Sequence, residues 1–292
     1  MYAVPFEYLR VSSWDEAVGL LLEGGDDARA IAGGQSLVPM MTLRLATPRL
    51  LVDIGSADEP RIARKDDTLT ISALTRHTDL ERAPDIAAAC PLLAEAASLV
   101  GNVRVRHRGT IGGTLAHADP SAELPAAVVA LEGAVRTLGP GGERRISSRD
   151  FFKGYFTSAL EPAEVVTAVE VPVVEPGTGS AFLELVRRAG DFAIVGVAAL
   201  VKLDGPTCAR ARVVLCGVGD GPVDVSDVVA LAGEPFDERA AVEAARRSAA
   251  AVEPSGSPHA SAGYRREMVA VFVRRALLLA AQRARAAEGE RP

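Results

Sequence analysis

Two short blocks constrain this chain more than anything else in it. Gly33-Gly34-Gln35-Ser36 and Gly112-Gly113-Thr114 each set a glycine pair just ahead of a hydroxyl side chain. Each follows a strand-like run, and the second opens into HADPSAEL, a helix start. A glycine pair lets the backbone approach a ligand closely and aim successive N–H groups at an anion. Ser36 and Thr114 add neutral donors, and a helix beginning behind either loop would add its positive end. Two such loops imply one ligand with two phosphates, held from two sides. The competing reading is a pair of structural turns, because short glycine motifs recur without function.

The surroundings narrow the fold. Ser13-x-x-Glu16 is a capping box that opens a helix through Leu22, stopped at Gly24-Gly25. Ala28–Ala32 then reads as a strand that delivers the first glycine loop. Strand, glycine turn and helix in that order invite comparison with dinucleotide-binding folds, but GGQS is not G-x-G-x-x-G. Leu50–Ile54 and Leu69–Leu74 read as strands, Thr78–Arg82 as a brief helix, and Ala87–Val100 as a longer helix interrupted by Pro91. Arg104, Arg106 and Arg108 alternate as on a solvated strand edge or a subunit contact. Ser121 is the expected N-cap of a helix through Leu131, with Glu123 favouring its first turn. Strands and turns follow to Val171. This mixture predicts an α+β fold of sheets packed with helices.

Pro172–Gly179, with two prolines and two glycines, is the best boundary. Strands at Ala181–Val186, Ala193–Leu203 and Ala211–Cys216 should form an antiparallel meander. Helices are expected at Val225–Ala232, Glu238–Val252 and Ala262–Ala287. The expected organisation is residues 1–174, with subdomains of about 1–55 and 56–174, then 175–287 and a disordered tail at 288–292.

Composition excludes several classes. A net charge of −6 and 4% aromatic residues disfavour nucleic-acid, anionic-membrane and sugar-stacking surfaces. Cys90, Cys208 and Cys216 are spaced for neither zinc nor an iron–sulfur cluster and read as reduced, buried thiols of a cytoplasmic protein. The N-terminus does not read as a signal peptide, and no apolar run reaches the length of a membrane span. His77, His107, His117 and His259 are scattered, with no nucleophile elbow or metal motif around them, so no catalytic side chain and no metal site are assigned.

The blocks AGGQSLVPMMTLRLATPRLLVDI and VRHRGTIGGTLAHADPSAELPA resemble those of the FAD-binding medium subunit of the molybdenum hydroxylases, the family of xanthine dehydrogenase and aerobic carbon monoxide dehydrogenase flavoproteins. The resemblance runs from Phe6 to about Ala281. It implies an N-terminal FAD-binding region of two α/β subdomains of the vanillyl-alcohol oxidase type. A C-terminal domain with a three-stranded antiparallel sheet and a helical bundle would follow. It implies non-covalent FAD, contacted by Ala32, Gly33, Gly34, Gln35, Ser36, Leu37, Val100, Thr110, Ile111, Gly112, Gly113, Thr114, Asp119 and Glu123. From the third block, RRAGDFAIV, it adds Asp191 and Phe192 near the isoalloxazine. Gln35, Glu123 and Phe192 stand where many relatives carry His, Asp and Tyr.

The same resemblance implies an electron-transfer subunit, with a large molybdenum-cofactor subunit and a small 2Fe-2S subunit in a dimer of heterotrimers. Electrons would leave to NAD, a quinone or oxygen. The alternatives are an autonomous FAD-dependent oxidoreductase acting directly on a small alcohol or amine, a flavin-free scaffold, and an ATP-binding protein, the last lacking a Walker lysine.

Overall fold

The computed structural model describes residues 2–289. The chain opens with β1 (Glu7–Arg10), α1 (Trp14–Gly24), β2 (Ala28–Ile31), α2 (Leu37–Thr42) and β3 (Leu50–Asp53). The three strands form a parallel sheet in the order β1-β3-β2, so the helices are its crossovers. At the head of α1, Ser13 Oγ accepts from Glu16 N–H, while the Glu16 carboxylate accepts from Ser12 N–H rather than from Ser13. Leu51 and Val52 of the central strand are fully buried, as their continuous apolar run predicts. The glycine pair at residues 33–34 lies just past the carboxyl end of β2, where α/β sheets present loops to ligands.

The middle of the chain contains β4 (Ile62–Lys65), β5 (Thr68–Ser72), α3 (His77–Arg82), α4 (Pro84–Ala89), α5 (Pro91–Leu99), α6 (Val103–Arg108), α7 (Ile111–His117) and α8 (Glu123–Ala130). It continues with β6 (Ala134–Gly139), β7 (Gly142–Ser147), α9 (Ser148–Phe151), β8 (Phe152–Gly154), β9 (Thr157–Ser158) and β10 (Val165–Pro172). Strands β4-β5-β10-β6-β7 make an antiparallel sheet with β10 at its centre, and β8 pairs with β9. Pro91 splits the expected long helix: it takes the first position of α5, where its missing N–H costs nothing, and Cys90 sits between the two pieces.

Two expectations fail here for local reasons. Arg104, Arg106 and Arg108 are not on a strand edge: Asn102 Oδ1 accepts from the N–H groups of Arg104 and Val105 and starts α6. Ser121 does not cap α8, whose N-cap is Ala122. The Ser121 N–H instead donates to Asp119 Oδ1 at 2.8 Å, so Asp119 shapes the turn.

The last third holds β11 (Thr178–Leu185), β12 (Val195–Asp204), β13 (Thr207–Cys216), β14 (Val223–Asp224), α10 (Ser226–Val229), α11 (Glu238–Ala250) and α12 (Ala262–Gly289). The three long strands form the expected meander, and the two-residue β14 adds an edge that the sequence does not advertise. The expected helix at Val225–Ala232 shortens to the single turn of α10, ended by Ala230 in the left-handed region. Of the expected tail, residues 288 and 289 continue α12, and 290–292 lie outside the described residues.

The C-terminal sheet is buried on both faces. Ala198, Leu200, Val214 and Cys216 pack with α5 and α8, while Val197, Ala199, Val201, Val213 and Leu215 pack with α11 and α12. Small residues permit the second contact. A Cβ at Gly179 would lie 1.9 Å from the Ala280 carbonyl oxygen, so α12 rides directly on β11. Arg283 on α12 reaches Glu95 of α5 at 3.0 Å, and the same carboxylate accepts from Phe182 N–H at 2.9 Å. These ties fix β11 against α5 and α12.

Candidate functional site

A cavity of about 660 Å³ opens where the parallel sheet, the α6–α7 junction, the head of α8 and the β11–β12 turn meet. That volume is in the range of ligand sites. Every candidate named from the sequence lines it except Ile111, which is fully buried beneath the wall. The residues span positions 32 to 192 in sequence and share one cavity.

The two glycine loops are built differently. Among the described residues, the backbone N–H groups of Gly33, Gly34, Gln35, Ser36 and Leu37 have no protein acceptor. A run of free amides on a concave wall is an anion-binding arrangement. Gly34, at φ +71, provides the left-handed turn within it. Gln35 folds its amide back onto the Gly33 carbonyl at 3.0 Å.

The second loop does not offer free amides beyond Thr110, contrary to the expectation of two equivalent cradles. Ile111, Gly112 and Thr114 N–H donate to the carbonyls of Thr75, Ala73 and Thr110, and Gly113 N–H donates to Thr110 Oγ1 at 3.1 Å. Those amides are consumed in docking and starting α7. A Cβ at Gly112 would lie 2.5 Å from the Ala73 Cβ, so this glycine serves packing, and Thr114 supplies the polar group on the cavity side.

Acids sit at the head of α8. Glu123, 5% exposed, is the first helical residue, and no other side chain hydrogen-bonds to it among the described residues. Burial pushes its carboxyl up to about 8, and the nearby Glu184 and Asp119 carboxylates push the same way. Burial also raises Asp119, opposed by the hydrogen bond from Ser121 N–H. Glu184 on β11 is raised to about 7 by burial, and its Oε2 has no partner among the described residues. Burial therefore favours the protonated form of Glu123, an acid able to donate as well as accept.

The β11–β12 turn closes another side. Arg187 and Arg188 hold Asp191 at 3.4 and 3.3 Å and keep its carboxylate below the usual range. Phe192, 71% exposed, extends from this turn at the cavity. Gly190 (φ +84) anchors the turn: a Cβ there would meet the Gly101 carbonyl oxygen at 3.0 Å.

Sequence reasoning passed over His77, Phe156 and Gly109. His77 follows the end of β5 and lies against Gly109, where an added Cβ would stand 2.7 Å from its Cε1. Phe156 occupies the β8–β9 turn at φ +50 and packs on His117 with ring centroids 5.1 Å apart. An exposed aromatic pair, Tyr155-Phe156, in a tight turn was the available signal. Arg106 is spent internally, on Glu81 at 2.9 Å and on the Val100 and Gly101 carbonyls. Only Arg104 and Arg108 of that trio remain exposed.

A parallel βαβαβ unit with free amides between its second strand and second helix, set against an antiparallel sheet and a C-terminal sheet-and-helix unit, makes a cavity suited to a phosphate-bearing ligand. Comparison with known proteins makes this specific. Residues 4–174 match the FAD binding domain in molybdopterin dehydrogenase, and residues 180–280 match the CO dehydrogenase flavoprotein C-terminal domain. The chain belongs to the FAD-binding medium-subunit family of the molybdenum hydroxylases.

It is 39% identical over 283 residues to the 6-hydroxypseudooxynicotine dehydrogenase complex subunit alpha of Paenarthrobacter nicotinovorans, covering 96% of each chain. It is 39% identical over 274 residues to the carbon monoxide dehydrogenase medium chain of Hydrogenophaga pseudoflava, covering 93% of this chain and 96% of that one. A solved structure of the carbon monoxide dehydrogenase of that organism, lacking the Mo-pyranopterin moiety, superposes with a TM-score of 0.94 at 38% identity. The match covers 97% of this chain and 99% of that one.

Proposed function

We propose that this chain is the FAD-binding electron-transfer subunit of a molybdenum hydroxylase complex, holding FAD non-covalently in the 660 Å³ cavity. The observation that carries the reading is the row of unpartnered amides from Gly33 to Leu37 on the wall of that cavity. The donor set fits the group: backbone N–H groups and the Thr114 hydroxyl suit phosphate oxygens, and a neutral Glu123 suits sugar or ribityl hydroxyls.

FAD, when bound, supplies the redox chemistry, and the protein binds, orients and shields it. The Gly33–Leu37 amides hold phosphate oxygens without introducing a titratable charge. Glu123 keeps its proton at neutral pH and hydrogen-bonds without placing a second anion beside the phosphates. Asp191 is fixed by its two arginines, and Phe192 offers a ring to cover an aromatic face and exclude water.

Electrons would reach this chain from a small 2Fe-2S subunit, with substrate oxidation on a large molybdenum-cofactor subunit, in a cytoplasmic dimer of heterotrimers. NAD, a quinone or oxygen would be the external acceptor. Support for partners comes from the relatives, which are named as a complex subunit and a medium chain. Among the described residues no helix is long and apolar enough to cross a membrane.

The test is an absorbance spectrum of the purified chain, with chromatography of the cofactor released by acid. FAD at near one equivalent supports the reading, and co-purifying iron–sulfur and molybdenum subunits support the assembly. A colourless chain that takes up no added FAD would overturn it. Turnover of an alcohol or amine by the chain alone would replace it with an autonomous oxidase.

A further inference from the structure

The Thr114 hydroxyl, on the cavity wall, has one protein partner among the described residues: Nε2 of His77 at 2.9 Å. Which group donates is decided at the other ring nitrogen. His77 is 3% exposed, and its Nδ1 is buried with no hydrogen-bond partner among the described residues. Gly109 covers that edge so closely that an added Cβ would stand 2.9 Å from Nδ1. Burial brings the imidazole down to about 4, against the pull of the Thr110 backbone and with Arg106 and Arg76 pushing the same way as burial, so near neutrality a single ring proton is shared between two sites.

A proton on Nδ1 would bury an N–H with no acceptor, which native structures avoid more strictly than an idle acceptor. It would also leave Nε2 to take the Thr114 proton, turning the hydroxyl lone pairs toward a cavity whose other wall is built for anions. A proton on Nε2 avoids both penalties. The Nε2–H then donates to Thr114 Oγ1, and the hydroxyl hydrogen is left free, with no other protein acceptor among the described residues.

We infer that His77 is a positioning residue for cofactor binding, donating from Nε2 to Thr114 Oγ1 so that the Thr114 hydroxyl donates in turn to a phosphate oxygen in the cavity. This rests on the reading that the cavity takes FAD. His77 itself touches no phosphate. It sets the polarity of the Thr114 hydroxyl at a loop whose amides from Ile111 to Thr114 are already consumed.

Two measurements on the full chain test it. Long-range ¹H–¹⁵N spectra of protein labelled at histidine, at neutral pH and without FAD, read the tautomer directly. A protonated Nε2 with a bare Nδ1 is expected for His77, and the opposite tautomer overturns the inference. FAD titration of cofactor-stripped protein, followed by flavin fluorescence, reads the consequence. Thr114→Val should weaken FAD about tenfold, the loss of one hydrogen bond to a charged group. His77→Leu should match it, the double variant should be no weaker than either, and His77→Gln, which keeps a donor, should restore most of the affinity. The Thr114 variants stand if His77→Leu fails to fold. Wild-type protein that binds FAD while Thr114→Val binds equally well overturns the His77 role alone. Wild-type protein that takes up no FAD overturns the flavin reading, and this role with it.

Discussion

Gly33 rests against the backbone carbonyl of Arg108: a Cβ on Gly33 would lie 2.2 Å from that oxygen and 2.8 Å from Cα of Gly109. This contact joins the free-amide loop of the parallel sheet to the α6–α7 junction, and so brings the two halves of the cofactor cradle together. The obstacle to a side chain is backbone, which cannot rotate away. Gly33→Ala should destabilise the fold by about 1–3 kcal/mol, the usual cost of overpacking. It should also separate the amides from Thr114. Urea unfolding and flavin content of the purified variant would check this, and an unchanged midpoint with full FAD content would count against it.

The buried carboxyl of Glu123 tilts stability with pH. Its folded-state value is pushed up to about 8 against an ordinary 4.5. Between those values the folded protein holds a proton that the unfolded chain has released, so this contribution is complete below about 4.5 and lost as pH rises through 8. Glu123→Gln removes the titration. The variant should gain on wild type as pH rises from 5 to 9, by a limit of roughly 3–5 kcal/mol. Thermal unfolding of the two proteins across that range measures the difference. Parallel curves would show that Glu123 remains ionised when folded. His77 works on the acid side: its folded value near 4 lies below the ordinary 6.5, so stability falls as pH drops through that window.

What could be read from the sequence, and what could not, follows from the range of the forces involved. Capping at Ser13, the Pro91 break, the first glycine loop and the long C-terminal strands are written in neighbouring residues, and they form as expected. The α6 helix was missed because three alternating arginines outweigh one Asn102 cap in a pattern reading. The β14 edge was missed because two residues carry no periodicity; it is held by pairing with β13. The resemblance supplied the site residues, but not how the loops divide the work. That division depends on Ala73 and Thr75, some forty residues from Gly112 and Ile111, taking those amides for packing. His77 and Phe156 enter the cavity through tertiary contacts alone.

Arg212 is a load point between sheet and site. It is 7% exposed on β13, and its guanidinium donates to the Ala130 carbonyl at 3.0 Å, to Glu132 at 2.8 Å and to Asp224 at 2.8 Å. It thereby serves the carbonyl end of α8, the helix whose head carries Glu123. Arg212→Met keeps the apolar stem but strands the Ala130 carbonyl, while Arg149 at 3.0 Å still offers Asp224 a partner and Arg210 still pairs with Glu132. A loss of about 2–4 kcal/mol is expected by chemical denaturation. Arg212→Lys should recover only part of it, because one ammonium cannot match the planar fork.

Phe192 separates cofactor affinity from stability. Its ring is 71% exposed, so removing it gives up little buried area, and Phe192→Ala should leave the unfolding of the FAD-free protein within about 0.5 kcal/mol of wild type. The same ring lines the cavity on a turn held by Asp191 and by the fit of Gly190 against Gly101. An aromatic that covers one face of a flavin contributes about 0.5–1.5 kcal/mol beyond its area, which corresponds to roughly two- to tenfold in affinity. Phe192→Ala should therefore release FAD faster by that factor, read as the rise of flavin fluorescence on dilution, and Phe192→Tyr should hold it as wild type does. Equal release rates for the alanine variant and wild type would place the flavin ring away from this turn, with the Gly33–Leu37 amides still accounting for the phosphates.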